Sequence, residues 1–237
     1  MAIVSTFELL AKTLIPKQFD QVGSGRIIVQ GYFFTIANLS DLDVTLNIKF
    51  TATTPSFDTS KIKAFFDILG TNAEVFPAVV TPTNITYKIT ISKNDTGLFI
   101  LQPDVTQRQI LIDASDPLKK ALEIRGYVDI SLRKTIGFNT YNLLLTPEHR
   151  GTFLPKDINI PLQGPVTSVT KDFDQLVYAL PTAEGKAQYT LKQMSFVPID
   201  LPIVQPVDKP TLETKLQESM TAIWERIEEL AEAQKGG

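Results

Sequence analysis

The sequence predicts an all-β protein, an antiparallel β-sandwich of jelly-roll or immunoglobulin-like type, with a short N-terminal helix and a C-terminal amphipathic helix. Three observations support this class. Apolar and polar residues alternate with a period of two over most of the chain, turn-forming residues separate the alternating runs, and no long helical pattern interrupts them. Because each run leaves one polar face for water, the strands are expected to pair in the antiparallel direction.

The first segment, residues 1–16, is predicted to form a helix. Ser5 and Glu8 have the spacing of a capping box, in which each side chain bonds the other residue's backbone N–H. Phe7, Leu10 and Leu14 share one helical face. Pro16 then ends the segment.

The β-sandwich domain is predicted over residues 17–196. Its clearest strands are 44–52, 85–91 and 122–132, where every second residue is apolar. Segment 60–69 fits a strand or a short helix equally well. Shorter or less regular runs predict the remaining strands at 27–37, 74–80, 98–101, 109–112, 139–145, 176–180 and 188–196.

An extended arm is predicted over residues 197–210. Prolines recur at every fourth position, which excludes a helix and interrupts a β-ladder. The residues between the prolines are mostly apolar, so the arm is expected to lie on a protein surface. Those that we expect to make this contact are Ile199, Leu201, Ile203 and Val204.

An amphipathic helix is predicted over residues 211–237. Its apolar residues recur at alternating spacings of four and three, which is typical of a coiled-coil seam. The helix packs on the chain's own β-domain, or it pairs with a second copy or another partner. The long arm before it favours an interface between chains, formed by Leu216, Met220, Ile223, Trp224, Ile227 and Leu230.

Charge and composition exclude several classes of function. The helix carries six Glu against three Lys and Arg, so the rest of the chain is balanced at 20 against 20. A neutral body without a basic cluster is not expected to bind nucleic acid. No apolar run is long enough to span a membrane. The apolar start lacks the basic region of a signal peptide. By default, this favours a cytoplasmic protein or a component of an assembled particle.

Residues with catalytic or ligand-binding chemistry are few. The chain has no cysteine and a single histidine, His149, which excludes a zinc site built from several histidines or thiolates. His149 is a conceivable general base, but Pro147 and Gly151 beside it indicate a polar turn. We therefore predict no catalytic residues, no metal and no cofactor. Tyr127 falls on the polar face of its strand, where an exposed ring is a possible ligand-binding residue.

These observations predict a non-enzymatic structural protein. We expect it to self-associate, or to bind an assembly partner, through its arm and C-terminal helix. The product would be a homo-oligomer or a larger assembly, such as a shell, a fibre, a filament or a virion. The alternative is a carbohydrate- or polymer-binding β-sandwich module that uses exposed aromatic side chains.

Overall fold

A computed structural model describes residues 1–15, 25–53, 55–116, 119–133 and 139–192 of the chain. These residues form a mostly antiparallel β-sheet that curls into a half-barrel, so the all-β prediction is confirmed. The jelly-roll or immunoglobulin-like sandwich stays a prediction. All of the described residues belong to the first of two units into which the chain divides, Met1–Ser195. The predicted arm, C-terminal helix and chain interface lie outside the described residues.

Twelve strands and one α-helix make up the described fold. For segment 60–69 the sequence fits a strand and a short helix equally well. In the structure a 3₁₀ turn at Thr59–Lys61 leads into the strand Ile62–Asp67, so this segment is mainly a strand. The strands are β1 (Ala2–Thr13), β2 (Ile27–Asn38), β3 (Val44–Thr51), β4 (Ile62–Asp67), β5 (Ala73–Val75), β6 (Val79–Val80), β7 (Asn84–Ile91), β8 (Thr96–Pro103), β9 (Leu122–Leu132), β10 (Thr140–Phe153), β11 (Asp174–Ala179) and β12 (Gln188–Lys192), and helix α1 spans Arg108–Ser115.

The predicted N-terminal helix is wrong, because β1 lies between β2 and β9 and pairs with both. Phe7 and Leu9 face the hydrophobic core, while Leu10 is buried on the opposite side of the strand. A strand that is apolar on both faces loses the period-two signal and matches a helical spacing by chance. Pairing along both edges then outweighs the local preference for a helix.

The sequence prediction of a strand at residues 109–112 is also wrong, since α1 covers this segment. Ile110 and Ala114, which are four residues apart, are the buried residues of the helix. Both belong to the main hydrophobic core. The segment is short and apolar, and such a run does not distinguish a strand from a buried helical turn.

Strand β2 organises the curl of the sheet. Along one edge β2 pairs first with β1, up to Gln30, and then with β8, from Tyr32 onward. Gly31 lies between the two partners, where an added Cβ would lie 2.9 Å from the Cβ of Gln102. The glycine therefore permits β8 to approach closely as β1 leaves. Along its other edge β2 pairs with β10 through almost its whole length.

The core lies inside the curl. Phe50 of β3 is fully buried, and its ring contacts those of Phe7 at 5.2 Å, Tyr32 at 5.5 Å and Phe99 at 5.8 Å between centroids. Tyr87 of β7 meets Phe99 of β8 at 5.1 Å. Strands far apart in the order of the sheet therefore meet through aromatic side chains, whose stacked and tilted ring contacts stabilise the packing beyond burial alone.

Candidate functional site

Strand β11 is exposed along its whole length. It pairs through one edge with β10, in register from Glu148 opposite Ala179 to Phe153 opposite Asp174. No described residue pairs with its other edge. All six residues of the strand are exposed, including Leu176 and Val177, which keep 41% and 57% of their surfaces in contact with solvent.

The backbone groups at the free edge of β11 follow from one hydrogen bond. The Leu180 N–H donates to the Pro147 carbonyl at 2.9 Å, so the backbone of residue 180 faces β10. Backbone N–H and C=O groups alternate between the two edges of a strand. Gln175, Val177 and Ala179 therefore direct their N–H and C=O groups away from β10, toward the free edge.

A groove of about 610 Å³ lies beside this strand. Its walls come from β2, β10 and β11 on one side and from the end of β8 and helix α1 on the other. Most of the lining side chains are apolar, and a concave apolar surface of this size is typical of a binding site. The lining residues that matter below are Val29, Phe33, Val105, Leu111, Arg150 and Val177.

Arg150 is the charged residue in the lining of this groove. Its guanidinium lies 4.6 Å from the centroid of the Phe33 ring, a distance typical of a cation–π contact. Its Nη2 also bonds the Glu148 carboxylate at 2.9 Å. Because Glu148 neutralises the guanidinium, the groove offers an apolar surface with a paired charge rather than a free cation.

Arg26 fixes the beginning of β11. Its Nε donates to the Leu154 carbonyl at 2.8 Å, and one Nη2–H donates to the Phe153 carbonyl at 3.0 Å. The same guanidinium bonds the Asp174 carboxylate and the Asp172 carbonyl. Arg26 therefore joins the end of β10 to the start of β11 and holds the exposed strand in place.

His149 holds the middle of β11 and is not part of a turn. The prediction of a polar turn at Pro147 to Gly151 is wrong, because all of these residues lie within β10. One edge of β10 pairs first with β12 and then with β11, and the backbone of Pro147 faces this edge. The N–H that proline lacks would lie at the point where the partner strand changes. Proline is tolerated there because neither partner strand needs that donor.

Both ring nitrogens of His149 are hydrogen-bonded. The Glu8 N–H donates to Nε2 at 2.9 Å, at a point where β1 has separated from β2. The neutral ring then carries its proton on Nδ1, which donates to the Tyr178 hydroxyl at 2.8 Å. His149 thus substitutes for a missing strand partner of β1 and at the same time anchors β11.

We expect this histidine to make stability depend on pH. Burial lowers the pKa of His149 below its ordinary value, an effect that the nearby Glu8 carboxylate partly offsets. The unfolded chain therefore takes up a proton first. The stabilisation is fully present above about pH 6.5, the ordinary pKa, and is lost as the pH falls through that value toward the folded pKa.

Urea unfolding at pH 7.5 and at pH 5 measures this effect, with His149→Gln as the comparison. The stability of the wild-type protein should decrease more than that of the variant on acidification. At pH 7.5 the cost of His149→Ala should be about 1–3 kcal/mol, because the partly buried Glu8 N–H loses its acceptor. Equal pH dependence in the wild type and His149→Gln would contradict the assignment.

The predicted ligand-binding residue, Tyr127, is on β9, with Thr6 and Thr51 as its partners in register. It keeps 42% of its surface exposed, as expected for a ring on the polar face. Tyr127 does not line the groove. The ten predicted interface residues, all beyond residue 198, lie outside the described residues.

Sequence reasoning missed the groove because its residues come from five separate elements. One signal was present: three consecutive aromatic residues, Tyr32 to Phe34, place one ring outside the core, and that ring is Phe33. A second signal is the uncharged run from Gln175 to Ala179 on a strand near polar turns. Neither signal shows that the two segments lie side by side.

Other chemistry is limited in the described part of the chain. No group of three or more histidine, aspartate or glutamate side chains there could hold a metal ion. Within the same residues no helix is long and apolar enough to cross a membrane.

Comparisons with known proteins identify no family for this chain. No protein-family model matches the chain, and no curated protein matches it. A solved structure described as "AvmM Catalyzes Macrocyclization in Alchivemycin A Biosynthesis" aligns over 75% of this chain and 88% of that chain, with 8% identity and a TM-score of 0.17. A similarity this low carries no argument about fold or function.

Proposed function

We propose that this is a non-enzymatic structural protein that self-associates through its C-terminal arm and helix, residues 197–210 and 211–237. The product is an oligomer or a larger assembly, such as a shell, a fibre or a filament. One observation above all supports this proposal. The free edge of β11 exposes backbone groups and apolar side chains beside an apolar groove, and such a surface favours contact with another chain.

The composition of β11 strengthens the argument. Proteins that must stay monomeric protect an edge strand with lysine, proline, a bulge or an inward-facing charge. Between Gln175 and Ala179 the strand has no charged residue and no proline. Its pairing with β10 is continuous, without a bulge. From Gln175 to Ala179, β11 therefore lacks these protective features and is suited to pairing.

We also propose that the curled sheet is a variant of a β-sandwich. The contacts of Phe99 on β8 with Phe50 on β3 and Tyr87 on β7 support this description, because they bring two stretches of sheet face to face across one core.

Light scattering on the full chain tests self-association. A single chain has a mass of 26.3 kDa, and we expect a multiple of this value at micromolar concentrations. Changing both Ile223 and Ile227 to aspartate should lower the mass, because each places a charge in the predicted apolar seam. Tyr127→Ala is the control and should keep the wild-type mass. A mass of 26.3 kDa for the wild type at every concentration would contradict the proposal.

The polymer-binding module remains the second candidate, and the exposed ring of Tyr127 is its support. Tyr127→Ala also tests this candidate. Loss of co-sedimentation with an insoluble polysaccharide at unchanged mass would favour binding over assembly.

A further inference from the structure

The prolines of the arm all fall at even positions: 198, 202, 206 and 210. In an extended strand, even and odd residues direct their backbone groups to opposite edges. If the arm is a strand, every missing N–H lies on its even edge. The odd edge keeps an N–H at each residue from Ile199 through Leu201, Ile203 and Gln205 to Val207. As a strand, the arm would therefore have one edge that is able to pair along its length and one that proline interrupts.

Strand β11 offers the complementary edge. Gln175, Val177 and Ala179 direct their backbone groups outward, and no described residue pairs with them. We propose that the odd edge of the arm of a second copy adds to β11 as an antiparallel strand. This inference rests on the proposed self-association and assigns the surface that receives the arm. The proline edge then becomes the new outer edge, where proline prevents further strands from adding.

Side-chain directions agree with this pairing. In an antiparallel ladder, residues that face each other with their backbone groups place their side chains on the same face. Ile199, Leu201 and Ile203 would therefore lie on the face of β11 that carries Val177. That face lines the groove with Phe33 and Val29. The apolar side chains of the arm would cover the exposed apolar groove, while the prolines would lie on the opposite face.

The reach of the chain favours a second copy over the chain's own arm. Strand β12 ends at Lys192 opposite Thr140, whereas Ala179 of β11 lies opposite Glu148. The eight residue steps along β10 between these points span about 27 Å. The seven steps from Lys192 to Ile199 reach at most about 25 Å, even before the chain reverses direction to run antiparallel to β11. In this register the chain's own arm has no length left to reverse direction, whereas the arm of a second copy meets no such limit.

Proline substitution on the two edges of the arm tests the pairing in the full chain. Leu201→Pro removes an N–H from the odd edge and should weaken self-association by roughly tenfold. One hydrogen bond to β11 is lost, and the proline ring occupies the space where β11 would approach. Asp200→Pro is the matched control, since it removes an N–H from the edge that already carries the prolines, and it should associate like the wild type. Equal effects of the two variants would overturn the inference.

Val177→Pro gives the corresponding test on β11. The Val177 N–H faces the free edge, so the variant should keep its pairing with β10 and its melting temperature, and it should lose association. If the wild type assembles and neither Leu201→Pro nor Val177→Pro weakens assembly, the arm binds elsewhere and the broader proposal still stands. If the wild type is a monomer, the proposed self-association and the pairing of the arm with β11 are both wrong.

Cross-linking locates the partner directly, because the natural chain has no cysteine. Full-length Val177→Cys is mixed with full-length Leu201→Cys, and a short bismaleimide is added. We expect a cross-linked pair with twice the mass of one chain. Val79→Cys replaces Val177→Cys in the control, because Val79 is similarly exposed, at 54% against 57%, and lies on β6 at the opposite end of the sheet. If Val177→Cys alone gave the cross-linked product as readily as the mixture does, two β11 strands would pair with each other, and the arm assignment would be overturned.

Discussion

Phe50→Ala is expected to lower the free energy of unfolding by about 3–5 kcal/mol. Phe50 is fully buried on β3, and its ring contacts those of Phe7, Tyr32, Tyr87 and Phe99. Alanine would remove the ring at which four other strands meet. The surrounding strands are held by backbone pairing, so they cannot move inward to fill the cavity.

Urea denaturation measures this loss as a lower midpoint at an unchanged slope. Phe76→Ala is the matched control, because this ring is 77% exposed and its removal should change stability by less than about 0.5 kcal/mol. The comparison tests the curl of the sheet itself. If both variants unfolded at the same midpoint, β7 and β8 would not meet over β3.

Gly126→Ala is expected to cost more than about 3 kcal/mol, beyond the usual range for one extra methyl group in a core. A Cβ built at Gly126 would lie 1.8 Å from the Thr51 carbonyl oxygen and 2.9 Å from the Phe7 Cε1 atom. The carbonyl belongs to β3, which is paired with β9, and a backbone oxygen has no rotamer by which to withdraw. The two central strands would have to separate.

Gly151→Ala is the control for a strand glycine with a flexible neighbour. Its Cβ would meet the Cδ1 atom of Ile28 at 3.2 Å, and this methyl group is able to rotate away. We expect a change of less than about 1 kcal/mol for this variant. Thermal unfolding measures the difference in stability between the two variants. A Gly126→Ala protein as stable as Gly151→Ala would contradict the close approach of β9 to β3.

The sequence predicts β3, β7 and β9 well for a physical reason. Strands β3 and β7 bury alternate residues and leave the others half-buried or exposed, and β9 largely follows the same pattern, although Asp129 is also buried. The side chains of these strands therefore show a period of two. Strand β1 loses that signal, because Leu10 is buried on the face opposite Phe7 and Leu9. Strand β10 contains Pro147 and Gly151, which read as a turn. The structure accommodates the proline at the change of partner, and only knowledge of the partners reveals this.

The candidate site was less predictable than the fold. A strand near residues 176–180 follows from the sequence, but its free edge does not, because an unpaired edge is a property of the whole sheet. The groove depends on the register that brings Arg150 beside Gly31 and Val177. The parity of the prolines was present in the sequence throughout. This parity bears on assembly only together with the free edge of β11, which needs a strand partner.

The pairing of β2 with β10 has a consequence for synthesis of the chain. Ile28 of β2 pairs with Phe153, so this edge of β2 is complete only after more than half of the chain has been made. Contacts between such distant residues slow folding, because the intervening loop must close before they form. Until β10 leaves the ribosome, the backbone groups of Phe33 and Thr35 on this edge of β2 have no partner, and the nascent protein is exposed to aggregation during this interval.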